Sequence, residues 1–200
     1  MDESHGNRCA QCGGAIDDTY RRCRLCAAST RWRQRRGDAP AVVHVVEQAT
    51  VGSQVHERMR WYKDAAEDSA RRQLTLNVAS RLAGWIDCRP ELLASVDIVT
   101  CVPSRWRAAM EPVVDAVPAL VSRHRRLLGA RRPADRQHVP DAFSVDSSVR
   151  GRRVLVVDDV FVSGATVLSA ADALVDAGAA SAHVLVMARL SRPEWSARAA

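Results

Sequence analysis

The segment 153–187 constrains the fold of this chain most strongly. It contains two mainly apolar runs, 154–157 and 183–187, which have the length and composition of buried strands. Between them, apolar and small residues recur at helical spacing over 165–177, and Gly178 follows as a helix-ending residue. Strand, helix and strand in this order form a βαβ unit, which builds parallel sheets covered by helices on both faces. The sequence therefore predicts an α/β protein with a doubly wound, mostly parallel sheet.

The remainder of the chain supplies further elements of this kind. Apolar and β-branched runs at 42–46 and 96–102 are predicted strands. Helical spacing predicts a helix over about 65–86 and another over about 110–128, the second interrupted by two prolines. Residues 130–150 are polar and read as a loop.

A cysteine pattern marks the N-terminal part of the chain. Two C-x-x-C pairs lie ten residues apart, a spacing typical of a tetrahedral zinc site with four thiolate ligands. The predicted ligands are Cys9, Cys12, Cys23 and Cys26. We expect residues 1–37 to form a small zinc module with its linker, 31–40 being linker-like, and residues 38–200 to form the α/β domain. Metal binding would supply the folding free energy of so short and polar a segment.

Two disulfides or a redox-active pair are the alternatives for these four cysteines. Disulfides are disfavoured in the cytosol, and a redox C-x-x-C normally follows a strand and opens a helix, which this segment does not show. The two remaining cysteines, Cys88 and Cys101, stand alone in apolar surroundings and are predicted to be buried.

Charge and hydropathy exclude some classes of protein. No apolar stretch approaches the length of a membrane span, and the first residues lack the apolar core of a secretory signal, so we expect a cytoplasmic protein. The formal net charge is +6, carried by arginine except for Lys63. A basic surface suits phosphate-bearing partners, although the same charge also serves solubility alone.

The turn between the predicted strand and helix carries the candidate chemistry. The strand ends in Asp158 and Asp159, and the helix begins with Ser163, Gly164 and Thr166. Amide groups at a helix N-terminus favour anions, and a glycine lets a phosphate approach the backbone closely. Carboxylates beside a phosphate site are accounted for if they accept hydrogen bonds from the hydroxyls of a ribose. A purely structural reading, in which one residue caps the helix, explains neither the paired acids nor the glycine.

These residues resemble the phosphoribosyl diphosphate (PRPP) motif of type I phosphoribosyltransferases: four apolar residues, two acids, three variable positions, then Thr/Ser-Gly-x-Thr. The wider chain resembles the ComF family of competence-associated, phosphoribosyltransferase-like proteins. That likeness rests on the four cysteines, on the pair Tyr62-Lys63, on the strand end Val102-Pro103, and on the motif itself.

The resemblance implies a site and its ligands. Asp158 and Asp159 would hold the ribose hydroxyls, and the 5-phosphate would lie on the turn formed by Val162, Ser163, Gly164, Ala165 and Thr166. Mg²⁺ would bind with the PRPP, and structural zinc would bind the cysteines. The pyrophosphate side of the site would draw on Ser104, Arg105, Arg107 and Lys63. Residues 130–145, with Arg131, Arg132 and Arg136, would form a mobile lid; a solvated basic surface is the alternative for both arginine groups.

Two positions depart from the patterns of the relatives. ComF proteins typically carry Arg-Gly-Phe-Asn-Gln after the Val-Pro strand, where this chain has Ser-Arg-Trp-Arg-Ala-Ala-Met over 104–110. Hypoxanthine-type enzymes place an acid where this chain has Val162, which argues against 6-oxopurine chemistry.

Three hypotheses about function follow. The first is a Mg²⁺-dependent phosphoribosyltransferase of nucleotide metabolism with an unknown acceptor. The second is a non-enzymatic adaptor that senses PRPP or a nucleotide and contacts single-stranded DNA or a DNA-uptake protein. The third is a structural domain held together by zinc.

Overall fold

A computed structural model describes residues 8–14, 16, 20–65, 67–104, 110–132 and 137–191, without the side chain of Lys63. The helices in this part of the chain are Arg24–Gln34 (α1), Gln54–Asp64 (α2), Asp68–Asp87 (α3), Pro90–Ala94 (α4), Glu111–Asp115 (α5), Pro118–Val121 (α6) and Ala165–Asp176 (α7). The strands are Val43–Thr50 (β1), Ile98–Cys101 (β2), Leu128–Ala130 (β3), Phe143–Val145 (β4), Arg153–Phe161 (β5) and Ser181–Ser191 (β6).

Four parallel strands form the central sheet in the order β1-β6-β5-β2. Strands β5 and β6 occupy the middle, and α7 connects them, so the predicted βαβ unit is the centre of the fold. Both faces of the sheet are covered. Residues such as Val154 and Val156 pack in the layer beneath α7, while Leu155 and Val157 pack beneath α3, α5 and α6. This architecture confirms the predicted α/β class with a parallel sheet.

Several elements differ from their predicted extents because packing, rather than local periodicity, sets them. The helical region before β2 consists of two main helices, α2 and α3, of which the spacing of apolar residues predicted only the second. The predicted helix 110–128 is two short helices, since Pro118 begins the second one. Within the predicted loop 130–150, β3 and β4 pair antiparallel as a small second sheet.

Helix α1 ties the cysteine segment to α7 through a buried ionic cluster. Asp172, with no exposed side-chain surface, accepts hydrogen bonds from Arg33 Nε, from Ser29 Oγ at 2.7 Å and from His138 Nε2 at 2.6 Å. Arg33 lies within the predicted linker 31–40, yet its side chain is buried and helical backbone continues through Gln34. The need to pair this guanidinium explains why a locally polar segment is ordered against the domain.

No helix in the described residues is long and apolar enough to cross a membrane.

Candidate phosphate and metal sites

The candidate phosphate site lies where β5 leads into α7. A small cavity of about 130 Å³ is lined by backbone and side chains of both elements. That volume holds about four water molecules, which is enough for a phosphate group. Its lining residues are Asp158, Val160, Val162, Ser163, Gly164, Ala165, Thr166 and Val167. The structure thus brings Asp158 and all five predicted turn residues to one concave surface.

Gly164 shapes this turn. It is the residue before the first turn of α7 and has φ +83°, a left-handed conformation that glycine adopts without strain. A Cβ at this position would lie 2.1 Å from Cζ of Phe161, whose ring is buried beneath the turn. The absence of a side chain therefore allows both the backbone conformation and the close packing on Phe161. The amide groups of the first helical turn begin directly after it.

Ser163 stabilises the start of the helix as well as lining the cavity. Its hydroxyl accepts a hydrogen bond from the amide of Ala165 at 3.3 Å. Thr166 is exposed one residue further on. The hydroxyls and amides of this turn favour a negatively charged group, because the helix dipole adds to their partial positive charges.

The two acids lie inside β5 rather than at its end as predicted, because pairing with β6 continues through Phe161, and they have different surroundings. Asp158 lines the cavity, and its Oδ1 accepts a hydrogen bond from the amide of Asp159 at 2.9 Å. Oδ1 of Asp159 accepts from the amide of Val160 at 2.5 Å. Burial, together with the charge of Asp159, raises the pKa of the Tyr62 hydroxyl on α2. Tyr62 is thus a neighbour of the acidic pair, although its sequence context identified it only as part of a Tyr-Lys pair.

The predicted pyrophosphate side is described only in part. Ser104 is exposed just beyond β2. The amide of Val102 donates to the carbonyl of Val157 at 3.0 Å, and this hydrogen bond fixes the end of β2 beside Asp158. Arg105, Arg107 and the side chain of Lys63 lie outside the described residues.

The described parts of the predicted lid, 130–132 and 137–145, pack along α7 rather than over its N-terminus. Arg131 and Phe143 line a separate cavity with Ala173 and Asp176 of α7. Ala173 is eight residues beyond the start of the helix, about 12 Å along its axis from the phosphate turn. Arg132 is paired with Asp141 at 2.5 Å; Arg136 lies outside the described residues.

A cysteine at the end of β2 adjoins a histidine and a carboxylate. Cys101 Sγ lies 3.7 Å from Nε2 of His124, and Nδ1 of that ring lies 2.6 Å from Asp115. Burial, with the nearby charges of Glu111 and Asp158, raises the pKa of Cys101, so its neutral thiol is favoured. Burial of Cys101 confirms its prediction, whereas the prediction for Cys88 is wrong: it is exposed at the C-terminal end of α3.

The four N-terminal cysteines converge as predicted. Their sulfurs all lie within 4.8 Å of one another, and Cys12 Sγ is 3.9 Å from Cys23 Sγ. A tetrahedral site with Zn–S bonds of about 2.3 Å has sulfurs about 3.8 Å apart. None of the six cysteines, all of which lie in the described residues, forms a disulfide. The donor set and its spacing therefore fit a zinc ion.

Backbone turns present these sulfurs. In the first pair, Gly13 has φ +67° and its amide donates to the carbonyl of Cys9 at 2.8 Å. In the second pair, the amide of Ala27 donates to the carbonyl of Cys23 at 2.9 Å, where α1 begins. Hydrogen bonding among the four closely spaced sulfurs lowers the pKa values of Cys9 and Cys12 and raises those of Cys23 and Cys26. A dication is what would hold all four as thiolates.

Arg189 links the two sites and was not anticipated from the sequence. It lies near the end of β6 with 5% of its surface exposed. Its Nη1 donates to the carbonyls of Phe161 at 2.9 Å, Val162 at 2.7 Å and Leu190 at 2.6 Å. Its charge also contributes to the lowered pKa of Cys12. A lone arginine inside an otherwise apolar run was the available signal in the sequence.

Comparison with known families supports the assignment of the fold. Residues 116–197 match the family model of the phosphoribosyl transferase domain. The matched segment contains β5, the turn, α7 and β6, and it supports the relation to type I phosphoribosyltransferases that the motif suggests. The match begins at residue 116 and so does not include the four N-terminal cysteines. A search of curated proteins found no match to the chain.

Proposed function

We propose that this chain is a ComF-like phosphoribosyltransferase of the cytoplasm that binds PRPP with Mg²⁺ at the end of β5 and the start of α7. The observation that carries the proposal is one cavity that combines Asp158 with a glycine-centred helix N-terminus. A 5-phosphate and a ribose diol require these two kinds of group side by side. The family match over 116–197 supports the same ligand class.

Each group in the cavity has a role in this proposal. The amides and hydroxyls of the turn from Ser163 to Thr166 bind the 5-phosphate, while Asp158 and Asp159 orient the ribose through its hydroxyls. Carboxylate oxygens also suit a hard cation, so the donor set at this edge fits Mg²⁺ held together with the ligand. The cation would neutralise charge on the pyrophosphate.

The transfer reaction places demands that this arrangement meets on the ribose side. The acceptor forms a bond to the anomeric carbon, the carbon–oxygen bond to pyrophosphate breaks, and the pyrophosphate leaves with the electron pair. Positive charge develops on the ribose in the transition state. Fixed carboxylates beside the ring stabilise that charge more strongly than water does, because they need no reorientation.

The test is a calorimetric titration of PRPP and Mg²⁺ into the zinc-loaded protein. The variant Asp158→Asn/Asp159→Asn removes both charges, and Asp87→Asn/Asp176→Asn is a charge-matched control at exposed positions away from the cavity. A charge-assisted hydrogen bond is worth about 1.5–3 kcal/mol, so we expect at least a tenfold weaker affinity in the first variant and no change in the control. Equal affinity in all three proteins would refute the site.

Turnover is tested separately from binding. Release of pyrophosphate from PRPP on addition of a nucleobase or amine acceptor supports the transferase. Binding without release across a broad panel of acceptors would instead favour the PRPP-sensing adaptor. Single-stranded DNA at low salt, where contacts to phosphates are strongest, is the partner to test in that case.

A further inference from the structure

The side chain of Arg189 lies between the four-cysteine cluster and the phosphate turn. Gly14 follows the first cysteine pair, and its carbonyl accepts a hydrogen bond from the amide of Cys9 at 2.7 Å. A Cβ on Gly14 would lie 2.0 Å from Nη2 of Arg189 and 2.8 Å from its Nε. The guanidinium therefore packs directly against the backbone of the first cysteine turn.

The other side of the same guanidinium holds the approach to α7. Nη1 bonds the carbonyls of Phe161 and Val162, the two residues that precede Ser163. The guanidinium carbon is also 4.9 Å from the centroid of the Phe161 ring, on which Gly164 packs. One buried side chain thus contacts both the support of the turn and the cysteine knuckle.

The charge of Arg189 lacks a carboxylate partner among the described residues. Its Nε has no hydrogen-bond partner there either, although it is buried. A buried cation without a counter-charge is costly, and bonds to neutral carbonyls offset that cost only in part. A Zn²⁺ ion with four thiolates carries a net charge of about −2, and it would lie beside this guanidinium.

We propose that Arg189 couples zinc binding to the order of the phosphate turn. The zinc–thiolate cluster supplies the counter-charge that keeps Arg189 in place, and Arg189 in turn holds the carbonyls of Phe161 and Val162. Loss of either the metal or the guanidinium loosens the segment 161–166. Arg189 is a positioning residue in this account, and the coupling rests on the metal assignment and goes beyond the proposed transferase activity.

The first experiment follows zinc release to a chromogenic chelator from the wild type, Arg189→Met and Arg189→Lys. Coupling energies between sites typically correspond to 5- to 150-fold, so we expect release at least about fivefold faster from the methionine variant. The lysine variant keeps the charge and is expected to release zinc within about twofold of the wild-type rate. Arg152→Met, at an exposed position just before β5, controls for general charge loss.

The second experiment reads the turn itself, by amide hydrogen exchange of residues 161–166. Exchange should rise at least about fivefold when the chelator removes zinc from the wild type, and by as much in zinc-loaded Arg189→Met. Where the zinc-free chain unfolds, the comparison of the zinc-loaded proteins decides. The proposal would be overturned if zinc-loaded Arg189→Met exchanged the amides of 161–166 at the wild-type rate. It would also be overturned if this variant released zinc at the wild-type rate.

Measuring the binding of ribose 5-phosphate in the same proteins distinguishes a failure of this coupling from a failure of the proposed function. If the ligand binds the wild type but zinc release and exchange are unaffected by Arg189→Met, the function stands and the coupling fails. If no phosphate ligand binds, yet the variant releases zinc faster and exposes the turn, the coupling stands and the proposed function fails.

Discussion

Replacing Asp172 with asparagine should destabilise the whole fold, because this carboxylate sits at the centre of the contact between α1 and α7. Its side chain has no exposed surface, and Arg33, which it pairs, is 3% exposed. Removing one partner of a buried ion pair leaves the other charge uncompensated, at a cost of about 3–5 kcal/mol. Lost hydrogen bonds from Ser29 and His138 act in the same direction.

This loss is measurable by urea unfolding at neutral pH and a fixed free zinc concentration, since bound metal shifts apparent stability. With a slope of about 2–3 kcal/mol per molar urea, the midpoint should fall by about 1–2.5 M. Asp176→Asn is the matched control on the same helix. Its carboxylate is 55% exposed and pairs with Arg36, so less than about 1 kcal/mol should be lost.

A double-mutant cycle with Arg33→Met isolates the interaction between the two groups. We expect the double variant to be less destabilised than the sum of the two single variants, because neither buried charge is then left alone. A loss below about 1 kcal/mol in Asp172→Asn would refute the reasoning that this cluster holds the cysteine segment to the domain.

Three further predictions concern the turn, the thiols and a surface ion pair. Gly164→Ala should weaken ribose 5-phosphate binding at least tenfold in calorimetry, whereas Gly178→Ala, equally left-handed at φ +101° but remote from the cavity, should lower only stability. In the zinc-loaded protein a thiol reagent should modify Cys88 rapidly and Cys101 slowly, because burial raises the pKa of Cys101; rapid modification of both would contradict this. Hydrogen bonds from Arg153 hold the pKa of the Asp97 carboxyl below its usual range. The ionised carboxylate therefore stabilises the folded protein above about pH 4, and this contribution is lost as the pH falls further. The difference in urea midpoint between wild type and Asp97→Asn should therefore narrow at low pH, and a constant difference would be the contrary result.

The sequence predicted the centre of the fold because its signals there are local. The apolar run before Asp158, the Ser-Gly-Ala-Thr turn and the apolar face of α7 each lie within one element, so spacing alone identifies them. The cysteine spacing likewise reports a local feature, because each C-x-x-C pair lies on one tight turn that presents two thiols. These are the features that the structure reproduces: a βαβ unit with a cavity at its turn, and four converging sulfurs.

The contacts that were missed join residues far apart in the chain. Arg33 and Asp172 are 139 positions apart, and neither carries a local sign that it is buried and paired. Arg189 contacts Gly14 and Phe161 only because β6 lies between β1 and β5. Strands β3 and β4 are three residues each, too short for a periodic signal. Such features depend on the assembled sheet.

The most direct test of the account is to locate the bound 5-phosphate. Ribose 5-phosphate titrated into ¹⁵N-labelled, zinc-loaded protein should shift the amide resonances of residues 163–166, because hydrogen bonds to phosphate deshield those protons. A separate groove of about 820 Å³, between α2 and α3 near Trp61, is the competing location. Shifts centred on 163–166 would support the proposed phosphate site. Shifts centred on that groove, with the turn unchanged, would contradict it.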